Sequence, residues 1–179
     1  MDKQTHRNII INALNQLSPT EKAAASDQIC KKLTQWLTTH QPNQLGAFVP
    51  VRHEPNIWPV LLNYAKTNEL YLPKFNPTTN GYDWSPYSDP LSSSKFNIPE
   101  PASACSKPPQ LDACLVPAVG IDPNGNRIGW GYGYFDRLLT TNIPHRIGIV
   151  FDCQLLPTPI TPAAWDVALT NHITNFIKD

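Results

Sequence analysis

Apolar residues Ile10, Ala13, Leu14 and Leu17 recur at helical spacing and predict a first helix from about Asp2 to Leu17. Ser18-Pro19-Thr20-Glu21 follows at once. A serine three residues before a glutamate, with proline at the first helical position, is a capping box, so a second helix starts there and runs to about Thr38. Its apolar face is Ile29, Leu33, Trp36 and Leu37. Pro42-Asn43 ends it, and the pattern changes to a short unbroken apolar run, Leu45 to Val49, which reads as a buried strand stopped by Pro50. A helix over about Asn56 to Thr67 and a strand over Leu70 to Pro73 come next. Further on, Ala113 to Val119 and Ile147 to Phe151 read as buried strands, with a helix through Leu138-Leu139 between them. This alternation predicts an α/β fold of three layers, a mostly parallel sheet with helices on both faces.

Between Phe75 and Gln110 the periodicity fails. Prolines are dense there, aliphatics are few and Ser92-Ser93-Ser94 interrupts the chain, so the stretch reads as a long irregular excursion within one domain over residues 1–179. Its aromatics Tyr82, Trp84, Tyr87 and Phe96 offer a wall for a flat ring system. A chain of 179 residues is long enough to bury roughly 70% of its unfolded surface. The formal charge is zero, so no general field draws it to nucleic acid or to an anionic membrane, and any phosphate site must be local. Cys30, Cys105, Cys114 and Cys153 form no C-x-x-C pair and share no ligand spacing with the histidines, which argues against zinc. With no apolar run approaching the ~20 residues of a membrane span and no secretory h-region in MDKQTHRNIIINAL, a reduced, cytoplasmic protein is expected.

The candidate chemistry lies in LVPAVGIDPNGNRIGWGYGYFDRLL. Asp122-Pro123-Asn124-Gly125 has turn residues at each position. After it stand Arg127, glycines at 129, 131 and 133, and then Tyr134, Phe135, Asp136 and Arg137. A loop without Cβ atoms can turn its amide N–H groups around phosphate oxygens, and the helix that follows adds a favourable dipole. Arg127 and Arg137 would bracket that loop as charge partners, and Asp136 is the carboxylate placed to hold a divalent cation against the phosphates. The same spacing also describes a glycine-rich β-turn whose aromatics pack on the sheet, because neither a Walker sequence nor a dinucleotide fingerprint is present. Arg52, His53 and Glu54 arrive together beyond a strand's carboxyl end, where α/β sheets place their ligands, although three ionisable residues in a row also describe a solvated turn. Lys3 and Arg7, four apart, put two cations on one side of the first helix against its dipole; taken alone they read as solvated charges.

The run VPAVGIDPNGNRIGWGYGYFDRLL resembles the signature of the 5-formyltetrahydrofolate cyclo-ligase family, also called methenyltetrahydrofolate synthetase: a Val-Pro strand, a turn, then G-x-R-L-G-x-G-x-G-Y-Y-D-R. Ile128 stands for the usual Leu and Phe135 for the second Tyr, while Trp130 and Tyr132 sit where the family more often has basic, small or tyrosine residues. The resemblance covers nearly the whole chain. It implies an ATP-dependent ligase that cyclises 5-formyltetrahydrofolate to 5,10-methenyltetrahydrofolate, with Mg²⁺, acting as a monomer or weak homodimer without nucleic acid or membrane partners. ATP contacts are implied for Lys3, Arg7, Arg127, Ile128, Gly129, Trp130, Gly131, Tyr132, Gly133, Tyr134 and Phe135. Folate contacts are implied for Val49, Glu54, Trp130, Gly131, Tyr132, Gly133 and Tyr134. Lys3, Arg127 and Asp136 take catalytic roles, and Asp136 and Asp166 metal roles. Glu100, in Ile98-Pro99-Glu100-Pro101, is a further pocket candidate or a turn cap. Trp165 replaces a family His or Asn, and Thr170 a family Asp. A thinned cationic set and these departures leave a second reading open, a catalytically impaired nucleotide- or folate-binding module that senses a ligand. A related transferase or isomerase acting on sugar phosphates is disfavoured, since such enzymes do not need the Arg-x-Gly-x-Gly-x-Gly-Tyr-Phe-Asp run.

Overall fold

The Asp2 carboxylate accepts the Thr5 N–H at 2.7 Å and caps helix α1, Lys3–Gln16. The Ser18–Glu21 capping box forms as predicted and starts α2, Pro19–His40, which ends two residues later than expected at Gln41 in a left-handed conformation. In this computed structural model residues 2–94, 97–104, 107–131, 134–139 and 142–176 are described, with Tyr134 described by its backbone only. Phe96 and Cys105, both singled out above, lie outside them.

Strand β1, Gln44–Gly46, is shorter than its apolar run, although Ala47 still donates to the Tyr71 carbonyl at 2.9 Å before Phe48 to Pro50 leave the sheet. Helix α3, Trp58–Tyr64, crosses to β2, Glu69–Asn76. It is shorter than the predicted 56–67. Here the structure also corrects the excursion. Its first part is the antiparallel strand β3, Gly81–Pro86, paired with β2 from Tyr71↔Pro86 to Asn76↔Gly81. The physical reason is burial: Trp84 and Ser85 are enclosed, and the indole Nε1 of Trp84 donates to the Leu138 carbonyl at 3.3 Å. A small ribbon of β4, Ser92–Ser93, and β5, Pro99–Glu100, follows.

Strand β6, Ala113–Pro117, is buried at every residue. It leads into the hairpin of β7, Gly120–Ile121, and β8, Arg127–Ile128, then into the short helix α4, Tyr134–Leu138. Strands β9, His145–Ile149, and β10, Asn171–Ile173, complete the sheet. Its order is β10-β9-β6-β1-β2-β3, parallel throughout except at β3.

The period-2 alternation of β6 sends Ala113 and Leu115 into a core with Ile10, Leu14, Ile29, Leu33 and Leu61 of the first three helices. Cys114 and Val116 point the other way, into a core with Leu138, Leu139 and Ile143. Helices therefore cover both faces, as predicted. The chain moves from β1 outward to β2 on one side and returns to β6 on the other. That reversal opens a crevice beyond the carboxyl ends of β1 and β6, the topological switch point at which such sheets bind ligands.

Candidate functional site

A cleft of about 440 Å³ occupies that switch point. The turn after β1 contributes Val49, Arg52 and Glu54, and the segment after β6 contributes Arg127, Gly129, Trp130, Phe135 and Asp136. Pro73 and Tyr82 close one side, and the ribbon brings Ile98, Pro99 and Glu100 over the top. A wider groove of about 620 Å³ between α2 and α3 is lined by no charged side chain and by none of the candidate site residues.

The phosphate-type half is built on the β7–β8 hairpin. Asp122, 3% exposed, accepts backbone N–H bonds from Asn124, Asn126 and Ile160 at 2.8 to 2.9 Å and fixes the turn. Gly125 serves this turn and not a ligand: at φ +79 a Cβ would lie 2.5 Å from the Leu169 carbonyl oxygen. Gly129 and Gly131 differ, because a Cβ at either position would meet nothing within 4 Å. Both positions face open space. Ile128 is 1% exposed and its side chain is core, which leaves only its backbone for a nucleotide. Tyr132, Gly133 and the Tyr134 side chain lie outside the described residues.

Three ion pairs are formed among the described residues. Lys3 Nζ lies 2.7 Å from Asp166 Oδ2, an oxygen that also accepts the Ala163 N–H. Burial pushes the Asp166 carboxyl up, but hydrogen bonds from Lys3 and Ala163 and the charges of Lys3 and Arg127 outweigh it and hold it below the usual range. Arg127, with a side chain 4% exposed, pairs with Asp136 and donates to the Val167 carbonyl at 3.1 Å. Lys74 pairs with Glu100 at 3.3 Å, and the other Glu100 oxygen accepts the Phe75 N–H at 3.0 Å. Arg7 donates from Nε to the Gly129 carbonyl at 3.1 Å. Arg7 is therefore turned onto the glycine loop, while Lys3 is held by Asp166. Arg137 donates from Nη1 to the Asn80 carbonyl at 3.4 Å, at the β2–β3 turn.

The other half is organised by Glu54. Its Oε2 accepts the Val51 N–H at 2.8 Å and its Oε1 accepts the Trp130 indole N–H at 3.2 Å. Burial raises its carboxyl to about 7, against the opposing pull of those two bonds and of Arg52. A carboxylate held ready to gain or lose a proton near neutrality in an apolar cleft is the type of group that functional sites contain. His53 turns aside to Lys22, 3.4 Å away.

The metal role can be tested against the donors present. No group of three or more His, Cys, Asp or Glu converges among the described residues, so a resident ion has no cage. Asp136 and Asp166 both act on Arg127, and each has one oxygen engaged by a cation and the other without a hydrogen bond among the described residues. Mg²⁺ is commonly held by one or two carboxylates with substrate phosphates completing its shell. The pair fits an ion that arrives with a nucleotide.

Lys74 and the ribbon carboxylate's tie to it were not legible in the sequence, whereas Arg52 lines the cleft from the strand end at which the sequence placed it. The only available signal for Lys74 was its place at a strand's carboxyl end, beside Pro73.

The model of the 5-formyltetrahydrofolate cyclo-ligase family matches residues 1–175. Named 5-formyltetrahydrofolate cyclo-ligases resemble the chain over much of its length. That of Mycoplasma pneumoniae is 26% identical over 172 residues, 94% of this chain and 96% of that one. That of Mycolicibacterium smegmatis is 31% identical over 144 residues, 72% and 71% of the two chains. Among solved structures, Aquifex aeolicus 5,10-methenyltetrahydrofolate synthetase superposes with a TM-score of 0.82 at 25% identity, covering 98% of this chain and 90% of that one. The Mycoplasma pneumoniae 5,10-methenyltetrahydrofolate synthetase superposes with a TM-score of 0.77 at 25% identity, covering 98% and 100%.

Proposed function

The chain belongs to the 5-formyltetrahydrofolate cyclo-ligase family, and we propose that it catalyses the ATP-dependent cyclisation of 5-formyltetrahydrofolate to 5,10-methenyltetrahydrofolate, with ADP and phosphate as the other products. The observation that carries this reading is the two-sided cleft. An open glycine backbone, with Arg7 on the Gly129 carbonyl and Arg127 lining the cleft, suits a triphosphate, and an apolar half around Glu54 suits a flat ring with hydrogen-bond donors. A ligand-sensing module that had lost catalysis would not need both halves open onto one space with their ionisable groups intact.

The formyl oxygen is a poor leaving group. In the proposed sequence it attacks the γ-phosphorus, a P–O bond forms as the bond to ADP breaks, and the carbon becomes an activated phosphoryl imidate. N10 then attacks that carbon, loses its proton, and phosphate departs with the C–O bond. The protein's part is positioning and charge neutralisation. Lys3, Arg7 and the amides of Gly129 and Gly131 bind and orient the phosphates, Arg127 supports them from below, and Glu54 with Val49 orients the pterin. Asp136, with Asp166, would hold Mg²⁺, which when bound neutralises charge on the transferring phosphates.

Purified protein given 5-formyltetrahydrofolate and MgATP is expected to form the methenyl chromophore and ADP in equal amounts. Chromophore without ADP, or neither product, rejects the proposal. Lys3→Ala removes a charge-assisted phosphate contact worth about 1.5 to 3 kcal/mol, so nucleotide affinity is expected to fall roughly tenfold or more. Its partner Asp166 keeps the Ala163 N–H, so the thermal midpoint is expected to stay within a few degrees. Unchanged ATP affinity by calorimetry would remove Lys3 from the site.

A further inference from the structure

We infer that Trp130 is a positioning residue for Glu54, and that its indole N–H makes the nucleotide loop and the folate subsite one hydrogen-bonded unit. This rests on the reaction proposed above. Trp130 lies 76 residues from Glu54 in sequence, and both line the same cleft. Indole Nε1–H is a donor only, so its 3.2 Å contact fixes which oxygen of the carboxylate it takes. With Val51 N–H on Oε2 and Trp130 on Oε1, each oxygen keeps a lone pair toward the cleft. That arrangement presents a bidentate acceptor to the paired N–H donors on the amino-pyrimidinone edge of a reduced pterin.

The loop is also tied from its other side. Arg7 holds the Gly129 carbonyl at 3.1 Å, one residue before Trp130. Gly131, at φ +103, follows it in a conformation that other residues rarely adopt. Trp130 is therefore set between a fixed carbonyl and a glycine that lets the chain turn away, and its ring is directed at the one carboxylate of the β1 turn. A small residue here would give no donor, and a basic one would bring a charge that the indole N–H does not. The ionisable groups sharing the cleft with Glu54 are Arg52 from its own turn, Arg127 and Asp136 from the loop side, Tyr82 from β3 and Glu100 from the ribbon.

Trp130→Phe keeps an aromatic ring and removes the N–H. KM for 5-formyltetrahydrofolate is expected to rise about five- to tenfold with KM for ATP within twofold. The pH at which the folate KM turns is expected to move upward, because donation from Trp130 favours the ionised carboxyl. The double variant Trp130→Phe with Glu54→Gln is expected to be no worse than Glu54→Gln alone. A readout that needs no turnover is the indole N–H resonance missing from Trp130→Phe. In the wild type it should titrate near neutrality, and in Glu54→Gln it should not. An indole resonance that does not titrate, additive effects in the double variant, or equal rises in both KM values would overturn the inference. Absence of methenyl product from the wild-type protein would reject the reaction instead, with the resonance still reporting the link.

Discussion

Asp136→Asn is expected to lose at least a hundredfold in kcat and to lower the thermal midpoint as well. The first effect follows from the placement of its carboxylate at the edge of the cleft, beside the open loop backbone, where it would hold the ion that neutralises the transferring phosphates. The second follows from Arg127. A surface carboxylate would be dispensable to the fold, but Asp136 is the partner of a guanidinium whose side chain is only 4% exposed. Removing one member of a buried pair leaves the other desolvated and unpaired, at a cost of about 3 to 5 kcal/mol when both are fully buried. Asp136 is itself 25% exposed and Arg127 keeps the Val167 carbonyl, so about 2 kcal/mol is the better figure, or roughly 5 °C for a chain of this size. The two effects are separable. Arg127→Met combined with Asp136→Leu removes both charges, and is expected to recover most of the thermal midpoint and none of the turnover. Normal turnover per folded molecule in Asp136→Asn would take this residue out of the metal and phosphate chemistry.

The features that sequence exposed well are local ones. Ser18 caps its helix through a bond to the residue three positions on, the DPNG turn closes on Asp122, and the apolar run from Ala113 yields a strand buried at every residue. Each of these is decided within a few residues. Strand β3 was missed because Tyr82 and Trp84 read equally as ring-binding aromatics and as strand residues. Sharing one strand face, Tyr82 reaches the cleft while Trp84 is enclosed in the core, so both descriptions hold in part.

The candidate site divides in the same way. Glu54, Val49, Gly129, Trp130, Phe135 and Asp136, which the sequence offered as candidates, line one cleft. Their partners were not legible. Lys3 meets Asp166 across 163 residues, Arg7 meets Gly129 across 122, and Trp130 meets Glu54 across 76. No periodicity spans such separations, so a charge that looks solvated on a helix can be a paired one in the fold. Lys3 and Arg7 illustrate the point, since their four-residue spacing describes nothing except a shared helix side until the loop is folded against them.

Glu54→Gln is expected to raise KM for 5-formyltetrahydrofolate roughly thirtyfold with KM for ATP within twofold, and to remove a pH dependence from both binding and stability. Gln keeps the shape and one acceptor, but it cannot offer two anionic oxygens to the pterin edge, and hydrogen bonds to charged groups are worth about 1.5 to 3 kcal/mol each. In the wild type the acceptor exists only when Glu54 is ionised. With its carboxyl at about 7, the folate KM should rise about tenfold for each pH unit below neutrality and level off above it. Stability runs the opposite way. The ordinary glutamate value of 4.5 applies to the unfolded chain, so between 4.5 and about 7 the native state binds the proton that the unfolded state has released. Stability therefore falls as pH rises through this window, and the full cost of an ionised, enclosed carboxylate is present above about 7. Glu54→Gln should accordingly melt higher than the wild type at pH 8 and close to it at pH 4.5. Thermal midpoints across that range, on the samples used for the two KM values, test the argument. A variant that melts lower than the wild type at pH 8, with both KM values raised together, would mean that Glu54 holds up the turn after β1 and does not receive the folate.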